Sequence, residues 1–324
     1  MLWGVAGFGL AACAPTVFDP SGRPQAPRLE AGTYHADDGA ALPLMAWGPA
    51  DAPSAVVLGL HGFADYSNAF AKVGERLAAQ GIRTVAYDQR GFGGAPGRGY
   101  WHGTDRMVED AADAVSLLAE AYAPAPVYVL GLSMGGAVAM TTAARRPGLP
   151  LAGVGLVAPA VLQLNLVPAV ARAGFWTAAH TIPWYPLKGT GFKVRASDNL
   201  EMLRRMSRDP MILRLFRVDQ LWGLVHAMDT AVAASSRLTL PTLFMYGLRD
   251  ELVPLPMMTR TALYVPGPNR RVAIYPDGFH MLLRDLRGDV AIDDLAAWIA
   301  DPSAPLPSGA DRDGISRLLA ADSG

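Results

Sequence analysis

The sequence predicts an α/β fold in which a mostly parallel, doubly wound sheet carries an inserted helical lid. Short apolar runs, typical of strands buried on both faces, alternate with longer helical patterns. A serine bracketed by glycines lies where one such run meets a helical pattern, within residues 127–136. The alternation stops between residues 160 and 237, where the pattern is helical and apolar, and then resumes.

The individual elements follow from periodicity and from turn residues. A hairpin over residues 33–37 and 41–47 is joined at Asp38-Gly39, which favours a tight turn. Buried strands are predicted at 55–60, 82–87, 127–130, 151–157, 241–246 and 271–275. Helices are predicted at 67–80, 104–122 and 290–300, the second capped by Thr104 or Asp105.

The same pattern divides the chain into four parts. Residues 1–27 form a signal-like segment followed by a Pro-rich flexible tether. The sheet-forming core comprises 28–159 and 238–300, and residues 160–237 form a lid inserted after a strand. Residues 301–324 are Pro- and Ser-rich, and we expect little order in this C-terminal tail.

Composition narrows the classes of function. With 51% hydrophobic and 18% charged residues, the 324-residue chain can bury a sizeable core. Its formal net charge of −1 gives no general case for a nucleic-acid partner. A single cysteine excludes a disulfide framework and a cysteine-based metal cluster, and the chemistry predicted below needs no metal or organic cofactor.

The one cysteine ends an apolar segment at the N-terminus. Leu10-Ala11-Ala12-Cys13 resembles a bacterial lipobox, in which cleavage precedes the cysteine and its thiol is diacylated. This predicts a lipid-anchored protein of the cell envelope, facing the periplasm or on the outer membrane. Residues 1–12 lack the Lys or Arg of a secretory signal, so the alternative is an apolar N-terminus with an incidental cysteine on a cytoplasmic protein.

Ser133 is the candidate nucleophile, in the G-x-S-x-G pattern formed with Gly131 and Gly135. Side chains at the two glycine positions would clash, because neighbouring elements approach a strained turn closely. Such a turn projects the Ser133 hydroxyl above the sheet edge. It also aims the Met134 N–H toward the position of a developing oxyanion.

A serine hydroxyl needs a base to remove its proton and a carboxylate to orient that base. His180 and His226 fall in the lid, whereas His280 directly follows a strand, so His280 is the candidate base. With this elbow the chain order is serine, acid, histidine.

Asp250 is the candidate orienting acid because it lies just past a strand end, between the serine and the histidine. Two other carboxylates are rivals. Glu251 is adjacent but should point elsewhere, and Asp277 lies too close to His280 in sequence to reach the far ring nitrogen.

A second oxyanion donor is expected from the loop after an early strand, His61-Gly62-Phe63. The Phe63 N–H is the candidate, and each such donor stabilises a transition state by roughly 3 kcal/mol. His61 precedes the serine, so we interpret it as a brace for this loop.

Several motifs together resemble the monoacylglycerol lipase and lysophospholipase group of α/β-hydrolases, which includes S33-type serine aminopeptidases. They are His61-Gly-Phe, Asp88-Gln-Arg-Gly-Phe-Gly, Gly131-Leu-Ser-Met-Gly-Gly136, Gly247-Leu-Arg-Asp250 and Gly278-Phe-His280, with Ala196-Ser-Asp-Asn199 and Asp209-Pro210 in the lid. The resemblance covers roughly residues 32–300. It implies hydrolysis of small monoacyl lipid esters through a Ser-Asp-His triad, although Gly94 stands where many relatives carry serine.

Other functions remain open at this stage. The same triad serves peptidases, thioesterases and acyltransferases, and a catalytically silent envelope-binding lipoprotein is the least favoured alternative. The lid holds ten Lys or Arg residues against five Asp or Glu residues. A basic, Trp-containing lid could face anionic lipid headgroups, or it could simply present a solvated helix face.

Overall fold

The computed structural model describes residues 14–19, 22–188 and 194–323. Cys13 and the lipobox-like segment lie outside these residues. Within the described ranges, no helix combines the length and the apolar character that a membrane span requires.

A nine-stranded sheet forms the centre of the molecule. Its order is β1-β2-β3-β5-β4-β6-β7-β10-β11, and every pairing from β5 to β11 is parallel. The strands are β1 (Arg28–Glu30), β2 (Thr33–His35), β3 (Ala41–Trp47), β4 (Ala55–Leu60), β5 (Ile82–Tyr87), β6 (Val127–Leu132), β7 (Leu151–Val157), β10 (Thr242–Gly247) and β11 (Arg270–Tyr275). The three N-terminal strands add an antiparallel edge, so the predicted fold class is confirmed.

Helices cover both faces of this sheet. The helices of the described residues are α1 (Ala71–Ala78), α2 (Thr104–Ala121), α3 (Met134–Arg145), α4 (Ala169–Thr181), α5 (Leu200–Arg208), α6 (Val218–Ser235), α7 (Leu255–Tyr264), α8 (Gly288–Ala300) and α9 (Gly314–Asp322). Of these, α4 and α5 lie in the inserted region. Two apolar clusters result, with α1 and α8 on one face and α2, α3 and α7 on the other. Strand β4 is buried throughout, since Val56 and Leu58 pack into one cluster and Val57 into the other.

The region predicted as a lid combines helices α4 and α5 with a short antiparallel pair, β8 (Pro186–Lys188) and β9 (Leu215–Arg217). This strand pair was not predicted, because three-residue strands leave little periodicity in a sequence. The second half of α6 differs from a lid element. Ala227, Ala231 and Val232 are buried in the core cluster, so this helix belongs partly to the layer that covers the sheet.

The described part of the C-terminal tail, residues 301–323, packs against the core and forms a helix, so the expectation of little order there was wrong. Helix α9 contacts β11 and α7, and Leu318 on it is fully buried. Ahead of it, the Ile274 N–H donates to Ala310 O at 2.9 Å. The apolar residues of the tail pack beside the edge strand β11. The Pro- and Ser-rich composition of the tail gave no indication of this packing.

The Pro-rich stretch before the first strand also makes specific contacts. Val17 forms a parallel bridge with Trp101, and the Phe18 N–H donates to Trp101 O at 2.7 Å. The Phe18 ring packs against Tyr100 and His102. Within the predicted flexible tether, Val17 and Phe18 therefore contact the core.

Candidate active site

Ser133 occupies the turn between β6 and α3 with a strained backbone. Its φ of 51° and ψ of −115° fall in a region that residues other than glycine rarely adopt. A Cβ at Gly135 would lie 1.9 Å from Leu60 O, and one at Gly131 would lie 2.4 Å from Gly135 O. Only glycine fits at either position, which is the physical reason for the G-x-S-x-G pattern.

Hydrogen bonds from the end of β7 hold this turn in place. The Ser133 N–H donates to Val157 O at 3.1 Å, and Ser133 O accepts from the Ala160 N–H at 2.9 Å. The same carbonyl accepts from the N–H groups of Gly136 and Ala137 in the first turn of α3. The surrounding structure thus fixes the serine backbone and maintains its strain.

Asp250 and His280 lie on loops that follow the neighbouring strands β10 and β11. Their side chains are joined by a 2.8 Å contact between His280 Nδ1 and Asp250 Oδ2. Asp250 Oδ1 accepts from the N–H groups of Leu252 at 2.7 Å and Val253 at 3.0 Å. The Asp250 side chain is fully buried and that of His280 is 10% exposed. With Nδ1 bound to the carboxylate, Nε2 of a neutral imidazole is left as a proton acceptor.

Ser133 and His280 line the same cavity of about 350 Å³. Within the described residues, no hydrogen bond joins the Ser133 hydroxyl to the imidazole. The structure therefore brings the predicted acid and base into contact and places the predicted nucleophile in the cavity that His280 also lines. The hydrogen bond between a catalytic hydroxyl and its base commonly forms or shortens only when a substrate binds.

The rival carboxylates are occupied elsewhere. Glu251 Oε2 accepts from the Arg195 N–H at 2.9 Å, and Asp277 pairs with Arg249 at 2.6 Å on the surface. Asp250 is thus the carboxylate bonded to His280.

The two predicted oxyanion donors flank Ser133. Phe63 lines the cavity, and a Cβ on the preceding Gly62 would lie 3.4 Å from Ser133 Cβ. Met134 is the first residue of α3, where a backbone N–H has no partner within the helix. Both amides are therefore close to the serine.

His61 supports the loop that carries Phe63. It is fully buried, its Nδ1 contacts Gly62 O at 2.8 Å, and its Nε2 accepts from the Gln89 N–H at 2.8 Å. Burial lowers the pKa of His61, so the ring is neutral and one nitrogen donates while the other accepts. His61 braces the loop and does not face the cavity.

The cavity wall is largely apolar and comes from both core and lid. The core supplies Val157 and Val253, and residues 160–237 supply Ala160, Phe216, Leu224 and Met228. The polar groups of the wall include one ion pair that the sequence analysis missed, Arg284 with Asp65 at 2.9 Å. Arg284 lies four positions after His280, and Asp65 lies four positions after His61. This proximity in sequence to the two predicted site motifs was the only indication that they belong to the site.

The described ranges contain no group of three or more His, Cys, Asp or Glu side chains that could hold a metal ion. The arrangement offers instead a serine, an imidazole held by a carboxylate, and an apolar cavity beside them. This set of groups is suited to acyl transfer.

Comparison with known proteins agrees with this geometry. The model of the family described as "Serine aminopeptidase, S33" matches residues 51–287. The monoacylglycerol lipase of Mycolicibacterium smegmatis is 29% identical over 258 residues, covering 78% of this chain and 90% of the relative. The human monoglyceride lipase is 28% identical over 255 residues, covering 77% and 82%.

Solved structures share the fold. The Paleococcus ferrophilus monoacylglycerol lipase superposes with a TM-score of 0.70 at 20% identity, covering 81% of this chain and 99% of that one. A Saccharomyces cerevisiae monoglyceride lipase variant gives 0.71 at 19% identity, covering 85% and 95%. The chain belongs to the S33 serine aminopeptidase family of α/β-hydrolases and is a serine hydrolase of the carboxylester type.

Proposed function

We propose that the protein hydrolyses carboxylic esters of monoacyl lipids, either monoacylglycerols or lysophospholipids. One observation carries the proposal: Ser133 and the Asp250-bound His280 line one cavity whose wall is mainly apolar. An apolar wall favours a fatty-acyl chain over a polar acyl group. The two relatives described above are a monoacylglycerol lipase and a monoglyceride lipase, which supports the same substrate class.

In this mechanism His280 Nε2 removes the Ser133 hydroxyl proton as Oγ attacks the ester carbonyl. The carbonyl oxygen becomes an oxyanion, which the Phe63 and Met134 amides stabilise by roughly 3 kcal/mol each. His280 then gives the proton to the leaving alcohol, and an acyl-enzyme remains on Ser133. Water, deprotonated by the same imidazole, attacks the acyl carbonyl, and the imidazolium returns the proton to Ser133 Oγ as the fatty acid is released. Asp250 keeps Nδ1 protonated throughout.

An aminopeptidase is the second candidate because the matching family carries that description. Such an enzyme binds the α-ammonium group of its substrate, usually with a free carboxylate. Among the described residues that line the cavity, Asp65 is the acidic one, and Arg284 already neutralises it. The cavity therefore favours an uncharged ester. A catalytically silent binding protein is the weakest candidate, since acid, base and serine are all present.

Substrate profiling tests the proposal. We expect kcat/KM for monoacylglycerols or lysophospholipids to exceed that for aminoacyl anilides by about 100-fold or more, because a polar ammonium group would lie unpaired against an apolar wall. A series of p-nitrophenyl esters from acetate to palmitate gives the preferred chain length. A preference for aminoacyl anilides would contradict the lipid assignment, and preferred transfer to an added alcohol would indicate an acyltransferase.

We further propose that the protein acts at a membrane surface. The lid exposes large apolar side chains, with Val170 86%, Trp176 53% and Trp184 54% accessible. Arg204 and Arg205 are also exposed and share one acidic partner, Glu201. Apolar and basic groups on one lid suit an anionic lipid surface. Diacylation of Cys13 would add an anchor to the bacterial envelope, as the lipobox-like sequence predicts.

Vesicle binding and cell fractionation test the contribution of the lid and that of the Cys13 anchor separately. In a Cys13→Ala background, we expect the R204E/R205E double variant to bind phosphatidylglycerol vesicles about tenfold or more weakly, since each basic residue near such a surface contributes about 1 kcal/mol. The Arg312→Glu variant, altered at an exposed arginine outside the lid, is the control. Unchanged sedimentation of the double variant would remove the lid from the proposal, and unchanged membrane fractionation of Cys13→Ala in cells would remove the anchor.

A further inference from the structure

A short part of the lid contacts both loops that carry the acid and the base. The 195–199 segment runs from Arg195 to Asn199, just before α5. The Arg195 N–H donates to the side chain of Glu251, the neighbour of Asp250, at 2.9 Å. The Met281 N–H, next to His280, donates to Ala196 O at 2.8 Å. The lid backbone is therefore joined directly to both loops.

A buried carboxylate holds the other side of His280. Asp285 Oδ2 accepts from the Phe279 N–H at 2.8 Å, and Oδ1 accepts from the Ser197 hydroxyl at 2.6 Å. Asp285 is 3% exposed and Ser197 is fully buried. His280 is thus bracketed, because residue 279 is bound to Asp285 and residue 281 is bound to the lid.

The Ser197 hydroxyl has a fixed direction. Its oxygen accepts from the Asn199 N–H at 3.1 Å, which leaves its proton for Asp285. Two further bonds join the segment to the same loop: Asn199 Nδ2 donates to Arg284 O at 3.1 Å, and the Leu286 N–H donates to Asp198 at 2.8 Å. The position of the His280 loop and the position of the segment are therefore interdependent.

The chemistry of Asp285 makes this contact sensitive to movement. Burial raises the pKa of Asp285, and the hydrogen bonds from Phe279 and Ser197 oppose that rise. A buried carboxylate is tolerated only while its oxygens remain bonded. If the segment moved away, Oδ1 would lose its partner, and the Asp285 contact with Phe279 would rearrange.

On the basis of the proposed role of His280 as the base, we propose that Asp285 and Ser197 are positioning residues for His280. Asp285 fixes the loop by accepting a hydrogen bond from the Phe279 amide. Because Ser197 donates to the same carboxylate, the position of Asp285 depends on the position of the 195–199 segment. The lid thereby controls the alignment of the imidazole as well as forming part of the cavity wall. Neither residue lines the cavity beside Ser133.

A pair of serine variants in the lid tests this directly. Ser197→Ala is expected to lower kcat for p-nitrophenyl acetate about tenfold with KM unchanged, because it removes a hydrogen bond to a carboxylate and lets the base move. Ser207→Ala is the matched control, since that hydroxyl is exposed on α5 and donates to Arg204 O. Equal kcat in Ser197→Ala and the wild type would overturn the proposal, as would a change in KM alone.

NMR spectroscopy reports the environment of the His280 ring without any substrate, so it tests the positioning role independently of the proposed activity. The His280 Nδ1–H proton, which contacts Asp250, should give a far-downfield NMR resonance, and its loss in His280→Gln would assign it. We expect this resonance to broaden in Ser197→Ala and in Asp285→Asn, and to be unchanged in Ser207→Ala. A wild-type protein inactive on every ester would contradict the proposed function alone. A resonance identical in all these folded proteins would overturn the positioning role alone.

Discussion

Ser133→Ala is expected to lower kcat for a short p-nitrophenyl ester by about 10⁶-fold, the scale of losses on removing a serine nucleophile. Alanine retains the Cβ but leaves no atom that can form an acyl-enzyme. The turn should keep its structure, since the Val157 and Ala160 contacts with residue 133 involve the backbone alone. Steady-state kinetics and labelling by a fluorophosphonate probe measure the effect.

The control is Ser116→Ala, whose hydroxyl donates to Ala112 O within α2, away from the cavity. This variant should label and turn over like the wild type. Mass spectrometry of the labelled wild-type protein should place the adduct on Ser133. Residual labelling of Ser133→Ala at another residue, with substantial turnover, would mean that the nucleophile is misassigned.

Asp250→Asn is expected to lower kcat by about 10⁴-fold, the scale seen when the orienting acid of such a triad becomes an amide. The structure gives the reason. The Leu252 and Val253 N–H groups bind Asp250 Oδ1, so the asparagine carbonyl oxygen should remain on them. The amide NH₂ then faces His280 Nδ1, which must become the acceptor. The proton moves to Nε2, where it blocks abstraction from the serine.

Asp277→Asn is the matched control. Asp277 lies near His280 in sequence, but its side chain is 64% exposed and paired with Arg249. Its kcat should stay within about twofold of the wild-type value, because exposed ion pairs contribute little. An Asp250→Asn variant with wild-type kcat would exclude Asp250 as the orienting acid.

The sequence was sufficient to predict the sheet and its elbow because their signals are local. Buried strands such as β4 are continuous apolar runs, and the glycines beside Ser133 mark a turn that side chains would obstruct. Asp250 and His280 are 30 residues apart, yet each follows a strand of one parallel pair. The carboxyl ends of adjacent parallel strands lie at one sheet edge, so their contact could be anticipated.

Contacts without a local signal could not be anticipated. Ser197 and Asp285 are 88 residues apart. Ser197 lies in the Ala196-Ser-Asp-Asn199 motif, but neither sequence neighbourhood identifies the other residue as its partner. The expectation for the C-terminal tail failed for another reason. Its seven prolines and serines are mixed with only four large apolar residues, Leu306, Ile315, Leu318 and Leu319, and Leu306 and Leu318 are buried. Composition averages over the whole tail, whereas packing depends on the positions of its few large apolar side chains.

The division of the cavity wall between core and lid has a consequence for protein engineering. Phe216, Leu224 and Met228 line the cavity from the inserted region 160–237, whereas Ser133, Asp250 and His280 belong to the core. We expect a library that randomises those three positions to vary chain-length selectivity while leaving the proposed triad intact. Lid exchanges between homologous enzymes should retain Ser197, so that a transplanted lid still fits the loop beneath it.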